Sequence, residues 1–162
     1  MINDRIIGFD RKPANQFQYN PLNHRTHPMK QREAVEASLR SIGWISGVIE
    51  NKTTGNLIDG HERIWQALQQ GEETPVPYFL VELSEEEEKL ALAVFDKITG
   101  MAEVDPEILE ELLKQVNTDE AALMAIIEEL AEENKVSHKS VSDGEYQPET
   151  VTCPQCGCRF IQ

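Results

Sequence analysis

Residues 57–67 read LIDGHERIWQA, and this stretch decides how the N-terminal half of the chain is organised. A short apolar strand runs into Asp59 and Gly60, and a helix then begins with three polar residues, the last of which is Arg63. The first turn of a helix carries free backbone N–H groups and the positive end of the helix dipole. A glycine lets an anion approach these groups, and an arginine can bind the same anion with its planar guanidinium. The motif predicts a phosphate-binding turn; the alternative interpretation is a tight turn with an ordinary helix cap.

Length and composition bound the architecture. A chain of 162 residues with 40% hydrophobic content can form one core of roughly 100 to 130 residues plus appendages. No apolar run approaches the ~18 residues of a membrane span, and the N-terminal residues MINDR lack the apolar segment of a signal peptide. We expect a soluble, cytoplasmic protein without membrane contact.

The net charge of −14 is unevenly distributed. Residues 1–80 carry nine Lys/Arg and nine Asp/Glu, whereas residues 81–162 carry six and twenty. Because an acidic surface repels phosphate, any nucleotide or nucleic-acid contact is expected before about residue 80. The candidate cations there are Arg25, Lys30, Arg32, Arg40 and Arg63.

Hydrophobic periodicity predicts the secondary structure. In the first half it predicts helices over 29–42 and 61–70, each ending at a glycine, and strands over 5–9, 48–51, 56–58 and 75–81, the last of which tolerates an edge position because of its prolines. In the second half, Ser84 and Glu87 form a capping box for a helix, Asp105 caps another, and a third covers 120–133. The predicted buried positions of these helices are Leu90, Ala91, Val94, Phe95, Ile98, Leu109, Leu112, Leu113 and Val116.

Three ordered segments of the first 100 residues resemble the ParB N-terminal/sulfiredoxin-like superfamily. Residues 20–25, NPLNHR, resemble its N-P-x-x-x-R loop; residues 34–43, ending in SIG, resemble a helix end of the family; and DGHER at 59–63, followed by Ala67, resembles its D-G-x-x-R-x-x-A signature. The resemblance implies an α+β fold, a small mixed sheet with helices, followed by an acidic helical extension. We expect a ParB/sulfiredoxin-like domain at 1–100, the acidic extension at 101–134, a linker at 135–150 and a Cys-rich tail at 151–162.

The resemblance also implies roles for individual residues. Arg25 and Arg63 would clamp phosphate, Gly60 would allow close approach of the backbone, and Asp59 would be a helix cap or an acid beside a metal. His61 would contact phosphate or transfer a proton; its alternative is a solvent-facing residue of the first turn. His24 and His27 are interpreted as loop histidines.

Several departures from the family pattern limit this transfer of roles. The reactive cysteine of sulfiredoxins is missing from the turn, which excludes that activity. Residues 95–98, FDKI, stand where partition-type ParB proteins carry E-N-x-x-R, and the following segment is acidic where those proteins continue into a basic helix-turn-helix domain. We expect the acidic helices to act as a helical cap or an oligomer face and to lie away from the anion site.

The resemblance suggests a phage-related DNA-metabolism accessory protein that binds a nucleotide or nucleic-acid phosphate, with a DNA-modification methyltransferase or a second copy as partner. One alternative is an enzyme, a phosphotransferase, NTPase or nuclease, that uses CTP or ATP with Mg²⁺. Its candidate catalytic residues are Asp59, His61 and Glu62. Another alternative is a protein-interaction module with a vestigial pocket.

The three cysteines all lie in the tail. Residues 152–160 read TCPQCGCRF, in which Cys153, Cys156 and Cys158 have the spacing of half a zinc ribbon. A tetrahedral site needs a fourth ligand, for which His138 and a residue of a second chain are the candidates. An odd, crowded set of cysteines fits metal binding better than disulfides.

Protein purified under reducing conditions is therefore expected to contain about one Zn²⁺ per chain, because three thiolates with one further ligand complete a tetrahedral site. Atomic emission spectroscopy measures the metal, and Cys153→Ser with Cys156→Ser should abolish it. Wild-type protein that is free of metal after such a purification would contradict the assignment.

Overall fold

The computed structural model describes residues 2–137 and the backbone of two short strands near the C-terminus. The elements are β1 (Ile6–Pro13), a short 3₁₀ turn (Ala14–Gln16), α1 (Met29–Ser41), β2 (Val48–Asn51), β3 (Leu57–Asp59), α2 (His61–Gln70), β4 (Pro75–Val81), α3 (Glu85–Thr99), α4 (Pro106–Gln115), α5 (Ala121–Asn134), β5 (Thr150–Thr152) and β6 (Arg159–Ile161). Cys153, Cys156, Cys158 and His138, predicted to bind zinc, lie outside the described residues, as does most of the predicted linker.

A four-stranded mixed sheet in the order β1-β4-β2-β3 forms the centre of the fold. Strand β4 pairs antiparallel with β1 and parallel with β2, and β2 pairs antiparallel with β3. The second, separate sheet is the antiparallel pair of β5 and β6. This architecture confirms the predicted α+β class with a small mixed sheet. Strand β1 continues to Pro13, four residues beyond the predicted strand over 5–9, because it follows β4 along its whole length.

Strand β4, whose prolines would be tolerated at an edge, lies inside the sheet between β1 and β2. The two prolines are nevertheless compatible with that position. The pairing with β2 begins at Tyr78, so Pro75 and Pro77 lie in the part of β4 that has a partner on one side alone. A residue without an N–H group is tolerated where the neighbouring strand has not yet begun.

The main core lies between the sheet and α2. Val48, Leu57, Ile64 and Val76 are fully buried and come from β2, β3, α2 and β4 respectively. In α2 the apolar positions follow a spacing of three and four residues, which places them on the one face that meets the sheet. This packing fixes the turn between β3 and α2 against the centre of the sheet.

The predicted buried face of α3 is wrong. Leu90, Phe95 and Ile98 are exposed, whereas Glu88 and Leu92 are the buried residues of this helix. The Ser84 capping box is confirmed, and Asp105 caps α4 as predicted.

A second, smaller cluster joins α4 to α5. Leu109 and Leu113 of α4 pack with Ala131 of α5 as predicted for α4, while Leu112 and Val116 are exposed. Two of the four expected apolar positions of α4 are thus wrong, because α4 meets α5 along a narrow strip. Within the described ranges, no helix is both long and apolar enough to cross a bilayer.

Position 60 requires a glycine for two reasons, its backbone conformation and its close contact with β2. Its φ is +94°, and a Cβ built there would lie 2.4 Å from Cγ1 of Val48, far inside van der Waals contact. The glycine therefore lets α2 begin directly against β2, independently of any ligand.

Gly60→Ala is accordingly expected to lower the free energy of unfolding by about 2–4 kcal/mol, the sum of a left-handed backbone and an overpacked core. Gly55→Ala is the matched control, since Gly55 has a φ of +75° with nothing within 4 Å of its virtual Cβ. Urea denaturation measures both variants. Equal losses in the two would show that the contact with Val48 contributes nothing.

Candidate anion-binding cavity

A cavity of about 910 Å³ lies between α1, the loop before it, the start of α2 and α5. Arg25, Gly60, His61 and Arg63, the four residues predicted to bind phosphate, all line it. Two motifs separated by more than thirty residues in sequence thus meet at one site, which lies at the N-terminal end of α2.

The N-terminus of α2 opens into this cavity without a side-chain cap. Gly60 occupies the cap position, and within residues 2–137 no side chain accepts a hydrogen bond from the first turn. The expected role of Asp59 as helix cap is therefore wrong. Its carboxylate instead lies four residues before Arg63 and pairs with it. The backbone N–H groups at the start of a helix favour a bound anion.

Arg63 is held by three acceptors. Its guanidinium donates to the Asp59 carboxylate at 2.7 Å, to the Ser46 hydroxyl at 2.8 Å and to the Gly47 carbonyl at 3.4 Å. These bonds use three of the five N–H donors of a guanidinium and fix its orientation at the cavity wall. Arg63 therefore joins the loop before β2 to the first turn of α2, in addition to facing the cavity.

Arg25 is likewise held by acceptors, which come from α3. It forms a 2.8 Å ion pair with Asp96 and donates to the Leu92 carbonyl of α3. Asp96 also lines the cavity, and sequence reasoning gave it no role. In the sequence, Asp96 belongs to residues 95–98, which stand where the resemblance places the E-N-x-x-R element of partition-type ParB proteins.

His61 is almost completely buried, so the alternative of a solvent-facing histidine is wrong. Its Nε2 accepts the N–H of Asn20 at 3.4 Å, which places the ring proton on Nδ1. Burial lowers the pKa of His61, opposed by Asp59 and reinforced by Arg25. The imidazole is thus neutral at pH 7 and would offer a hydrogen bond, without a charge, to a ligand in the cavity.

Of the other residues discussed in the sequence analysis, Glu62 and His27 line the cavity, whereas the exposed His24 does not. Glu62 is buried, accepts from Gln66 at 3.0 Å and lies 3.6 Å from Arg32. Of the described residues, no group of three or more His, Cys, Asp or Glu is arranged to hold a metal ion.

The acidic helices were expected to lie away from the anion site, and the structure contradicts this expectation. Helix α5 packs on α1, and its residues Ile126 and Glu129 line the cavity. Carboxylates also neutralise all five candidate cations: the pairs are Arg25–Asp96, Lys30–Glu129, Arg32–Glu62, Arg40–Glu120 and Arg63–Asp59. Acidic residues from the second half of the chain thus pair with three of the five candidate cations of the first half.

The wall of the cavity along α1 is apolar. Val35 and Leu39 of α1, Trp44 and Ile45 after it, and Ile126 of α5 face the same space as the charged residues. An apolar wall with polar groups at one end is the usual form of a site for a small organic ligand. The cavity thus combines apolar surface, which suits a planar ring, with charged groups.

Comparison with known proteins finds several solved structures that match the chain, among them two ParB structures. One is the C-terminally truncated chromosome-partitioning protein ParB from Caulobacter crescentus, complexed with CTP-γ-S, with 26% identity, a TM-score of 0.48 and coverage of 80% of this chain and 72% of that one. The other is a Pnob8-like ParB-N domain, with 18% identity, a TM-score of 0.48 and coverage of 99% and 59%. No family model and no curated protein sequence matches the chain.

Glu88 anchors the loop that carries Arg25. Its buried carboxylate accepts hydrogen bonds from Asn20 in the loop at 2.8 Å and from Asn51 at 2.6 Å, and further bonds from Thr54 and Asn56. Burial alone would raise the pKa of Glu88, but the four donors outweigh it and the pKa is lowered. The carboxylate therefore remains ionised in the interior, stabilised by neutral donors.

Because the folded-state pKa of Glu88 lies below its unfolded value of about 4.5, its contribution is fully present above that pH and is lost as the pH falls further. Glu88→Gln is expected to lower the free energy of unfolding by about 2 kcal/mol at pH 7. The reason is that an amide offers one oxygen acceptor, and its NH₂ group faces hydrogen-bond donors. The difference from wild type should shrink below pH 4.5 in urea titrations. Glu86→Gln, an exposed acid of the same helix turn, is the control; a difference for Glu88→Gln that is constant with pH would contradict this role.

Proposed function

We propose that the N-terminal domain is a ParB-like nucleotide-binding module that takes a nucleoside triphosphate with Mg²⁺ in the cavity beside α2. The observation that supports this most is the convergence of Arg25 with the Gly60–Arg63 turn on a single cavity. Both motifs resemble the family independently, so their meeting agrees with the anion site that the resemblance implies. The phage setting and the methyltransferase partner stay predictions from the resemblance.

The charges at the cavity favour a triphosphate with a metal over a nucleic-acid backbone. The lining residues include the cations Arg25, Lys30 and Arg63, and the acids Asp59, Glu62, Asp96 and Glu129, which gives a formal charge of 3 − 4 = −1. A DNA backbone binds to a basic surface, and this surface is not basic. Mg²⁺ commonly bridges one or two carboxylates and substrate phosphates, so it would relieve the repulsion between ligand and wall.

The shape of the cavity also favours a nucleotide. The start of α2 supplies backbone N–H groups for phosphate, and Trp44, Val35 and Leu39 supply an apolar surface for a base. The volume of about 910 Å³ lies within the range of small-molecule sites.

Arg25→Gln and Arg63→Gln are each expected to weaken the binding of Mg-CTP or Mg-ATP at least tenfold, because each removes a charge-assisted hydrogen bond to phosphate. Isothermal titration calorimetry with CTP, ATP and a short DNA duplex measures the affinities. Lys52→Gln is the matched control, since Lys52 forms an exposed ion pair with Glu82 and does not line the cavity.

Thermal denaturation of each variant separates loss of binding from loss of folding, which matters because both arginines also join elements of the fold. Product analysis after incubation tests the enzyme alternative: turnover of nucleotide, or cutting of DNA, would assign catalysis to the same turn. If neither nucleotide nor DNA binds to the folded wild-type protein, the proposal is overturned in favour of an interaction module.

A further inference from the structure

Helices α4 and α5 form a unit that is built separately from the main core. Their apolar contacts centre on Leu109, Leu113 and Ala131, and none of these residues belongs to the core cluster around the sheet. The strongest attachment of this unit to the rest of the described chain is the contact between α5 and α1. The apolar cluster around the sheet contains no residue of α4 or α5.

Two ion pairs contribute to this attachment. Glu129 pairs with Lys30 at 2.5 Å, and Glu120 pairs with Arg40, near the two ends of α1. The side chains of Lys30 and Glu129 are 53% and 49% exposed. Exposed pairs of this kind contribute little and are screened by salt, so they exchange readily for a stronger partner.

Glu129 and Lys30 both line the candidate cavity. Within residues 2–137, Lys30 forms a single ion pair, and its partner is Glu129. A phosphate that used Lys30 as a ligand would therefore compete directly with Glu129 for the same ammonium group. It would also be repelled by the carboxylate if α5 stayed in place.

We propose that α5 is an internal competitor for the phosphate of the ligand. In the free protein Glu129 occupies Lys30 and closes one wall of the cavity; when a triphosphate binds, it replaces Glu129, and α5 moves off α1. This regulation rests on the proposed nucleotide-binding function. The acidic helix α5 then has a regulatory role, because its position on α1 depends on whether the cavity holds a ligand.

Glu129→Gln is the decisive variant because it removes the competing charge and keeps the size of the side chain. Its affinity for Mg-CTP or Mg-ATP should exceed that of wild type by about 1.4- to 5-fold, the range that the free energy of an exposed pair corresponds to. Glu133→Gln, an exposed acid of the same helix that does not line the cavity, should leave the affinity unchanged. Adding Lys30→Gln to Glu129→Gln should remove the gain.

Hydrogen exchange of the full chain gives a second measurement. Peptides covering α5 should exchange faster when Mg-CTP or Mg-ATP is added to the wild-type protein, because the helix leaves α1. Slower exchange, which would mean closure onto the ligand, or an unchanged affinity of Glu129→Gln while Arg63→Gln weakens binding, would overturn this inference and leave the proposed function standing. Absence of binding in both wild type and Glu129→Gln would overturn the proposed function and the competition together.

Discussion

The buried carboxylate of Glu88 is the interaction on which the site depends. It lies in the first turn of α3 and receives hydrogen bonds from the loop at Asn20 and from the β2–β3 hairpin, and no cation of residues 2–137 pairs with it. Glu88, Leu92 and Asp96 are spaced by four residues and thus share one face of α3. Once Glu88 points into the domain, Leu92 enters the core and Asp96 faces the cavity, where it pairs with Arg25. One buried acid thereby sets the rotation of the helix and the position of an arginine.

This dependence explains why the sequence predicted the helices well and their orientation poorly. The capping box at Ser84 and the glycine at the end of α2 are local signals, and both mark real boundaries. The rotation of α3 is a long-range outcome. Its hydrophobic periodicity favours a face with Leu90, Phe95 and Ile98, but four polar donors from other elements bind Glu88, which turns Glu88 and Leu92 inward. A buried glutamate without a cation is a rare arrangement that pattern reasoning does not anticipate.

The candidate site shows the same division between local and distant information. The D-G-x-x-R pattern located the turn correctly, because its features belong to consecutive residues. The partners of its arginines come from elsewhere or from an unexpected geometry: Asp96 reaches Arg25 from α3, and Asp59 pairs with Arg63 because Gly60 has taken the cap position. The place of α5 beside the cavity involves contacts between residues about a hundred positions apart in sequence, such as Lys30 with Glu129, which spacing does not encode.

Paired cations have a consequence for how an anion would bind. Arg25 and Arg63 are already held in place by carboxylates, so a ligand would find their guanidinium groups oriented and would lose little entropy in ordering them. The same carboxylates cancel the attraction that would draw an anion from a distance. With a net charge of −14, the protein as a whole repels phosphate, although ionic screening confines this repulsion to roughly 8 Å at physiological salt. In the proposed nucleotide complex, recognition would then depend on short-range hydrogen bonds and on a counterion carried by the ligand.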